Sequence, residues 1–129
     1  MEVKVSVIIK DAQGRILLQR RDQEPEKDKW VLFGGSVEKA ETEKQALLRE
    51  IEEELNYKIK SATFFGKYSY KGIMCAIYIV DEPVSVGQLT LHEGSEMRFF
   101  EQNSTLNLPL GFNTREILED FHETNQNPG

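Results

Sequence analysis

The stretch GGSVEKAETEKQALLREIEEELNY, residues 34–57, decides the fold because it joins a paired-glycine turn to a short helix with a very uneven charge distribution. Four glutamates fall within five residues of this helix. On a helix that advances about 100° per residue, Glu50, Glu53 and Glu54 share one arc, whereas Glu52 points elsewhere. The opposing apolar stripe, which we expect to hold the helix on a core, consists of Leu47, Leu48, Ile51 and Leu55.

The clustered glutamates are unfavourable for the helix by itself. Like charges four residues apart destabilise a helix by about 0.2–0.5 kcal/mol, and these glutamates also lie near the negative end of the helix dipole. A solvated acidic face is the ordinary interpretation of a glutamate-rich run. A bound divalent cation is the alternative, because Mg²⁺ takes oxygen ligands and is usually held by a few carboxylates together with substrate phosphates. The position of the cluster beside two glycines favours the cation.

The spacing of these residues resembles the Nudix box, G-x5-E-x7-R-E-U-x-E-E-x-G-U, in which U is a bulky apolar residue. The match begins at Gly35, includes Glu41 and Arg49, and agrees at every charged position. Asn56 replaces the last glycine, and Tyr57 is only partly apolar. Because asparagine tolerates the left-handed conformation that glycine adopts after a helix, we expect the turn to be retained.

The resemblance implies the Nudix fold, an α/β architecture with a mixed β-sheet sandwiched between helices. It also implies a hydrolase that uses Mg²⁺, or Mn²⁺ in its place, to cleave the diphosphate linkage of a nucleoside diphosphate derivative. In such enzymes the pair formed here by Glu41 and Arg49 braces the loop before the helix. The implied metal ligands are the Gly34 carbonyl and the carboxylates of Glu50, Glu53, Glu54 and Glu93.

The resemblance further implies that one glutamate acts as the general base, on a water whose pKa the metal lowers. Glu53 is the first candidate and Glu93 the second. Glu93 and Gly94 match a Glu-Gly pair that often completes the metal site in MutT-like members, although Glu96 and Glu101 compete for this role on spacing alone. The expected catalytic residues are Glu53, Glu50, Glu54 and Arg49.

Four residues outside the glutamate cluster are candidates for substrate binding. Arg20 and Arg21 close the second predicted strand, where they either contact phosphates or are simply solvated. Gly35 lets the backbone approach a ligand closely. Asn113 precedes the terminal helix, where some MutT-like enzymes contact the base, although helix capping alone would explain it and is the favoured interpretation.

The Trp-x-x-Phe-Gly-Gly sequence that begins at Trp30, the small size of the chain and Asn113 favour a MutT-like nucleoside triphosphate pyrophosphatase that releases a nucleoside monophosphate and pyrophosphate, with oxidised nucleotides as one candidate substrate. Nucleotide sugars, ADP-ribose and dinucleotide polyphosphates stay open as substrates. Two other classes of function are also open. One is a catalytically silent nucleotide sensor, which would be expected to lose box glutamates, and none is lost here. The other is an acidic partner-binding module, which would leave the spacing of the box unexplained.

Length and composition indicate one globular domain of 129 residues, of which 39% are hydrophobic and 29% charged. We assign residues 1–123 to this domain and residues 124–129 to a disordered tail. The net charge is −6, and residues 41–54 supply −4 of it. Because long nucleic acids need a basic surface, the acidic balance argues against them as partners.

Cysteine and histidine usage restricts the chemistry further. Cys75 is the only cysteine, which excludes an internal disulfide, fits a cytoplasmic location, and in an apolar run favours a buried structural thiol. His92 and His122 have no partner at metal-ligand spacing, so zinc chemistry is not expected. No apolar run reaches membrane-spanning length, and a signal peptide and a membrane partner are not expected. We expect a monomer or a homodimer.

The remaining pattern predicts a sheet framed by two helices. Thr42 and Gln45 form a capping box that starts a helix at Glu43–Leu55, and Asn113 or Thr114 starts a second helix that ends near His122. Alternating and apolar runs predict strands at residues 3–9, 16–21, 30–33, 57–65, 66–70, 73–80 and 97–100.

Overall fold

The structure, a computed structural model, describes residues 2–125, with the side chain of Asn125 excluded. Seven strands, three α-helices and one 3-10 turn follow one another within this range. No helix in it is both long enough and apolar enough to cross a bilayer. In chain order the elements are β1 (Val3–Ile8), β2 (Ile16–Arg20), β3 (Trp30–Val31), β4 (Phe33–Ser36), α1 (Glu43–Leu55), β5 (Ala62–Tyr70), β6 (Ile73–Val80), the 3-10 turn (Val86–Gln88), β7 (Glu96–Phe100), α2 (Gln102–Thr105) and α3 (Thr114–Asn125).

The strands form two sheets. The four-stranded sheet has the order β4-β1-β6-β5, and the three-stranded sheet has the order β3-β2-β7. In the larger sheet β1 runs parallel to β6 but antiparallel to β4, and β5 is antiparallel to β6. The smaller sheet is antiparallel throughout. The larger sheet is therefore mixed, as predicted.

Helix α1 covers one face of the four-stranded sheet. Leu47 and Ile51 pack with Val5 of β1 in one hydrophobic core, and burial of each such side chain stabilises the fold by about 1.5–3 kcal/mol. Leu48, which we expected in this stripe, is 43% exposed, so that prediction is wrong. Leu48 points about 100° away from Leu47 around the helix, and Ala46 faces the core instead.

Helix α3 covers the opposite face. Ile117 and Phe121 pack with Ile8 of β1 and Ile77 of β6 in a second core. Ile8 directly follows Val7, which belongs to the α1 core, and consecutive side chains of a strand point to opposite faces. The sheet is therefore sandwiched between α1 and α3, which confirms the predicted α/β/α arrangement.

The terminal helix is longer than predicted. It continues to Asn125 instead of ending near His122. Thr124, which we placed in the tail, lies in the last turn, where its Oγ1 donates a hydrogen bond to the Asp120 carbonyl at 3.0 Å. Residues 126–129 of the predicted tail lie outside the described range.

The predicted strand at residues 30–33 is interrupted at Leu32. On one side of Leu32, β3 pairs with β2 in the three-stranded sheet, and on the other side β4 pairs with β1 in the four-stranded sheet. The chain thus passes from one sheet to the other at a single residue. Gly34 and Gly35, expected in a turn, lie inside β4.

Residues 57–61, predicted to begin a strand, do not belong to one. The Glu82 carboxylate accepts hydrogen bonds from the Tyr57 hydroxyl at 2.7 Å and from the amides of Lys60 and Ser61 at 2.7 and 3.1 Å. In this segment, these bonds take the place of backbone hydrogen bonds to a neighbouring strand. Strand β5 starts only afterwards and continues, with one bulge, through the region that we predicted as two strands.

Candidate active site

Local interactions set both ends of α1, which carries the box glutamates. Thr42 Oγ1 accepts a hydrogen bond from the Gln45 amide at 3.1 Å, and Gln45 Oε1 accepts one from the Thr42 amide at 2.8 Å. At the other end Asn56 has φ 53° and ψ 38°, a left-handed conformation, and its N–H donates to the Glu52 carbonyl. The predicted capping box and the predicted left-handed asparagine are confirmed.

Two close approaches account for the paired glycines of β4. A Cβ on Gly34 would lie 2.0 Å from the Val5 carbonyl oxygen of β1, so a larger residue would push the two strands apart. A Cβ on Gly35 would lie 2.2 Å from the carboxyl carbon of Glu50. Gly35 therefore leaves the space that the Glu50 carboxylate occupies, directly against the backbone of β4.

Arg49 connects the loop before α1 to the glutamates on the helix. Its Nε and Nη2 donate to the two carboxylate oxygens of Glu41 at 2.8 and 2.9 Å, and Nη2 also donates to the Ser36 carbonyl at 3.1 Å. Its Nη1 donates to Glu50 at 2.9 Å and lies 3.5 Å from Glu53. The bonds from Arg49 lower the pKa of Glu41 to about 2. The structure thus contains the predicted Glu41–Arg49 pair.

Glu54 has the opposite environment. It is only 3% exposed, and neither of its carboxyl oxygens has a hydrogen-bond partner among the described residues. Burial, the adjacent Glu50 carboxyl and the charge of Glu93 raise the pKa of Glu54 to about 10, against a weaker opposing effect of the Gly34 backbone. A buried carboxyl without a partner is costly. The fold by itself therefore disfavours the charged form of Glu54.

Glu93, in the loop before β7, lies close to the same carboxylates. Although it is accessible to solvent, partial burial and the charge of Glu50 raise its pKa, while Arg21 acts in the opposite direction. The competing candidate Glu96 instead forms ion pairs with Arg98 and Arg20. Glu93 is therefore grouped with the box, and Glu96 is not. We call Glu50, Glu54 and Glu93 the acidic corner.

A hard divalent cation suits the acidic corner. The two unpartnered oxygens of Glu54 are hard donors, and a cation would remove their repulsion with the neighbouring carboxylates. Within residues 2–125, no three His, Cys, Asp or Glu side chains already surround a common point. The fit therefore rests on the unpartnered oxygens and on the chemistry of the donors. The Glu53 side chain lies outside the corner, 60% exposed and in contact with Arg49.

A cleft of about 320 Å³ opens beside the acidic corner. Its lining includes Arg21, Gly35 and Asn113, three of the four residues predicted to bind substrate. Arg20 is not among the lining residues, and its Nε instead donates to Ser95 Oγ at 3.2 Å. The structure therefore brings one of the two predicted arginines to the cleft.

One wall of the cleft contains aromatic residues that the sequence analysis missed. The Phe112 ring meets Tyr70 edge to face at a centroid distance of 6.0 Å, and the Arg21 guanidinium lies 5.0 Å from the Phe112 centroid. The adjacent Asn113 has a buried Nδ2 without a hydrogen-bond partner among the described residues. The sequence feature that could have indicated this wall is an aromatic residue, Phe112, directly before Asn113 at the start of the terminal helix.

Cys75 and the histidines have structural surroundings. Cys75, which we predicted to be a buried structural thiol, is half-buried and lines the cleft, with its Sγ 3.6 Å from Ser6 Oγ. Burial raises the pKa of this thiol. His122 is buried and hydrogen-bonded to Thr105 Oγ1 at 3.0 Å, whereas His92 is exposed.

This geometry agrees with comparisons with known proteins. Residues 2–121 match the family model described as NUDIX domain. The chain belongs to this family. As a Nudix hydrolase it acts on phosphoanhydride bonds, as the box predicts.

Two curated relatives align with most of this Nudix domain. The ADP-ribose pyrophosphatase of Methanocaldococcus jannaschii is 34% identical over 123 residues, which cover 89% of this chain and 69% of that relative. The CTP pyrophosphohydrolase of Escherichia coli strain K12 is 30% identical over 124 residues, which cover 94% of this chain and 90% of the relative. A crystal structure of a MutT NUDIX hydrolase from Burkholderia pseudomallei has a TM-score of 0.81 and 28% identity, with 92% of this chain and 95% of that chain covered.

Proposed function

We propose that this Nudix hydrolase uses Mg²⁺, or Mn²⁺ in its place, to cleave nucleoside triphosphates into a nucleoside monophosphate and pyrophosphate. The observation that carries the proposal is the buried, unpartnered carboxyl of Glu54 beside Glu50 and Glu93, next to the cleft that contains Asn113. The E. coli relative is named for a nucleoside triphosphate substrate and is covered over 90% of its length, which supports this class of substrate.

In this proposal the acidic corner and the Gly34 carbonyl hold the ion, with Glu53 joining them. The bound ion neutralises phosphate oxygens and lowers the pKa of a water. Arg49 orients Glu50 through the 2.9 Å hydrogen bond from its Nη1. Glu53 is our first choice for the general base because it is accessible and lies on the same arc of α1, and Glu93 is our second choice.

The nucleoside would lie against the aromatic wall. The free amide of Asn113 can donate a hydrogen bond to an acceptor on the base, and the Phe112 and Tyr70 rings offer apolar surface for a planar heterocycle. Arg21 lines the same cleft and supplies charge for the phosphates.

ADP-ribose is the second candidate substrate. The M. jannaschii relative is named for it, and ADP-ribose carries the same adjacent base, ribose and phosphates. Nucleotide sugars and dinucleotide polyphosphates rank below these two candidates because neither of the two curated relatives is named for them. A cytoplasmic location and a monomeric or homodimeric state remain predictions.

A substrate panel tests the proposal. Formation of the nucleotide products, and release of pyrophosphate from the triphosphates, should be measured with Mg²⁺, with Mn²⁺ and with chelator, on CTP, the other nucleoside triphosphates, 8-oxo-dGTP, ADP-ribose, a nucleotide sugar and a dinucleotide polyphosphate. We expect the fastest metal-dependent turnover on a triphosphate, with nucleoside monophosphate and pyrophosphate as products. Faster turnover of ADP-ribose would support the second candidate. Inactivity on the whole panel with tight nucleotide binding would support the nucleotide sensor.

A further inference from the structure

Lys4 lines the floor of the cleft from the centre of the four-stranded sheet. Its strand, β1, lies between β4 and β6, and Lys4 is in register with Ser36 on one side and Cys75 on the other. Neighbouring strands lie about 4.8 Å apart. Lys4 is therefore one strand away from β4, which carries the box glycines. On its other side it is one strand away from β6, which forms a hairpin with β5, the strand that ends at Tyr70.

Lys4 has no partner within the described chain. Among residues 2–125 its ammonium makes no hydrogen bond, ion pair or ring contact. The other cations of the cleft are engaged: Arg21 donates to the Pro25 carbonyl at 2.8 Å and contacts Phe112, and the Lys71 ammonium lies 5.4 Å from the Tyr70 centroid. Among the described lining residues, Lys4 is thus the cation with no hydrogen bond, ion pair or ring contact of its own.

A solvated lysine at a strand end is the ordinary explanation for such a residue. However, Lys4 shares its strand face with Ser6, which also lines the cleft, and with Ile8, which is buried under α3. Its side chain is half-buried. The charge of Lys4 also lowers the pKa values of Glu93 and Cys75, so its ammonium acts inside the cleft.

We propose that Lys4 binds the phosphate that is attached to the nucleoside 5′-oxygen of the substrate. The inference rests on the proposed function, which places the reacting anhydride at the acidic corner and the base at the Phe112 wall. The phosphate that joins these two parts must pass over the strand between them, where Lys4 lies. The ammonium donates a hydrogen bond to a non-bridging oxygen of this phosphate and so acts as a positioning residue.

Substitution of Lys4 tests the inference without disturbing the fold, because the side chain has no described partner to lose. We would prepare Lys4→Met, Lys4→Arg and, as a matched control for the lost charge, Lys58→Met, since Lys58 is exposed and does not line the cleft. Thermal midpoints confirm that each variant folds. Calorimetry then gives the Kd of cytidine 5′-monophosphate and of cytidine, and steady-state kinetics give kcat/KM for the triphosphate that the wild type hydrolyses fastest.

We expect Lys4→Met to weaken monophosphate binding by about 10- to 100-fold, the range of a charge-assisted hydrogen bond, and to leave cytidine binding unchanged. Lys4→Arg should recover part of the loss, and Lys58→Met should match the wild type. An equal loss for cytidine, or an equal loss in Lys58→Met, would overturn the inference. If the wild type hydrolyses nothing on the panel, the proposed function fails. Monophosphate binding tests the role of Lys4 even in that case. Equal monophosphate affinities of Lys4→Met and the wild type, or no monophosphate binding by the wild type, would overturn the inference.

Discussion

Two carboxylates of the same box, Glu41 and Glu54, have opposite surroundings. Glu41 accepts two hydrogen bonds from Arg49 and one from the Glu38 amide, and its pKa falls to about 2. Glu54 is buried with no described hydrogen-bond partner, and its pKa rises to about 10. The fold supplies hydrogen-bond donors to the Glu41 carboxylate but, among the described residues, none to Glu54. This difference separates a carboxylate that holds the loop in place from one that we propose as a ligand of the metal ion.

The largest test of this difference is enzymatic. Glu54→Gln should lower kcat by at least about 10³-fold, because a neutral amide cannot replace a carboxylate beside a metal. Glu52→Gln is the matched control, since Glu52 is exposed on another side of the same helix, and it should keep wild-type activity. Turnover of the best panel substrate measures both. Equal activity of the two variants would remove Glu54 from the site.

Substitution of the two glycines of β4 should affect stability and catalytic activity differently. Gly34→Ala places a methyl group against a backbone carbonyl, which cannot move aside, and should destabilise the protein by about 3 kcal/mol. Gly35→Ala places a methyl group against the end of the Glu50 side chain, so the stability of the protein should change less. Displacement of the Glu50 carboxylate should lower kcat/KM by about 10²-fold. Urea unfolding and kinetics of both variants provide the comparison. A reversed pattern would show that Glu50 is not positioned through Gly35.

Metal binding should stabilise the folded protein through the acidic corner. At about 100 times its Kd, Mg²⁺ stabilises the folded state by about 2.7 kcal/mol, or about 10 °C in the thermal midpoint. We expect most of this shift to be lost in Glu54→Gln and retained in Glu52→Gln. Differential scanning fluorimetry with and without Mg²⁺ measures the shift. A full shift in Glu54→Gln would mean that the ion binds elsewhere.

The last test uses the pH dependence of stability in metal-free buffer. Because the pKa of Glu54 is raised in the folded state, the folded protein binds more protons than the unfolded chain from pH 4.5 to about 10, and its stability falls as pH rises through that window. The pKa of Glu41 is lowered, so its stabilising effect is lost as pH falls from 4.5 to about 2. Urea midpoints against pH should lose the first slope in Glu54→Gln and the second in Glu41→Gln. Unchanged slopes would contradict the two environments.

The parts of the site that depend on neighbouring residues were predictable from the sequence. The capping box and the left-handed Asn56 act within a few residues, so the limits of α1 agree with the prediction. Leu48 was mispredicted because the rotation of the helix against β1 decides which of two adjacent leucines faces the core. Residues 57–61 were mispredicted because Glu82, far along the chain, supplies their hydrogen bonds.

The cleft could not be assembled from local patterns. Lys4, Tyr70 and Phe112 come from separate parts of the chain, and only the strand order and the loops place them around one space. The grouping of Glu93 with the box also required the structure, because spacing alone did not distinguish it from Glu96. The sequence places Glu50, Glu53 and Glu54 on the same arc of the helix and so gives no reason to distinguish them. Only the structure shows that Glu54 is buried with no described hydrogen-bond partner.

The passage at Leu32 joins the two sheets through a single residue. A shift of the three-stranded sheet must therefore carry the β4 glycines with it. Trp30, just before this passage, also holds the segment that leads to Phe112, since its N–H donates to the Pro109 carbonyl at 2.8 Å and its carbonyl accepts from the Gly111 N–H at 3.0 Å. One stretch of backbone, residues 30–35, therefore connects the segment beside the Phe112 wall with the glycines beside Glu50.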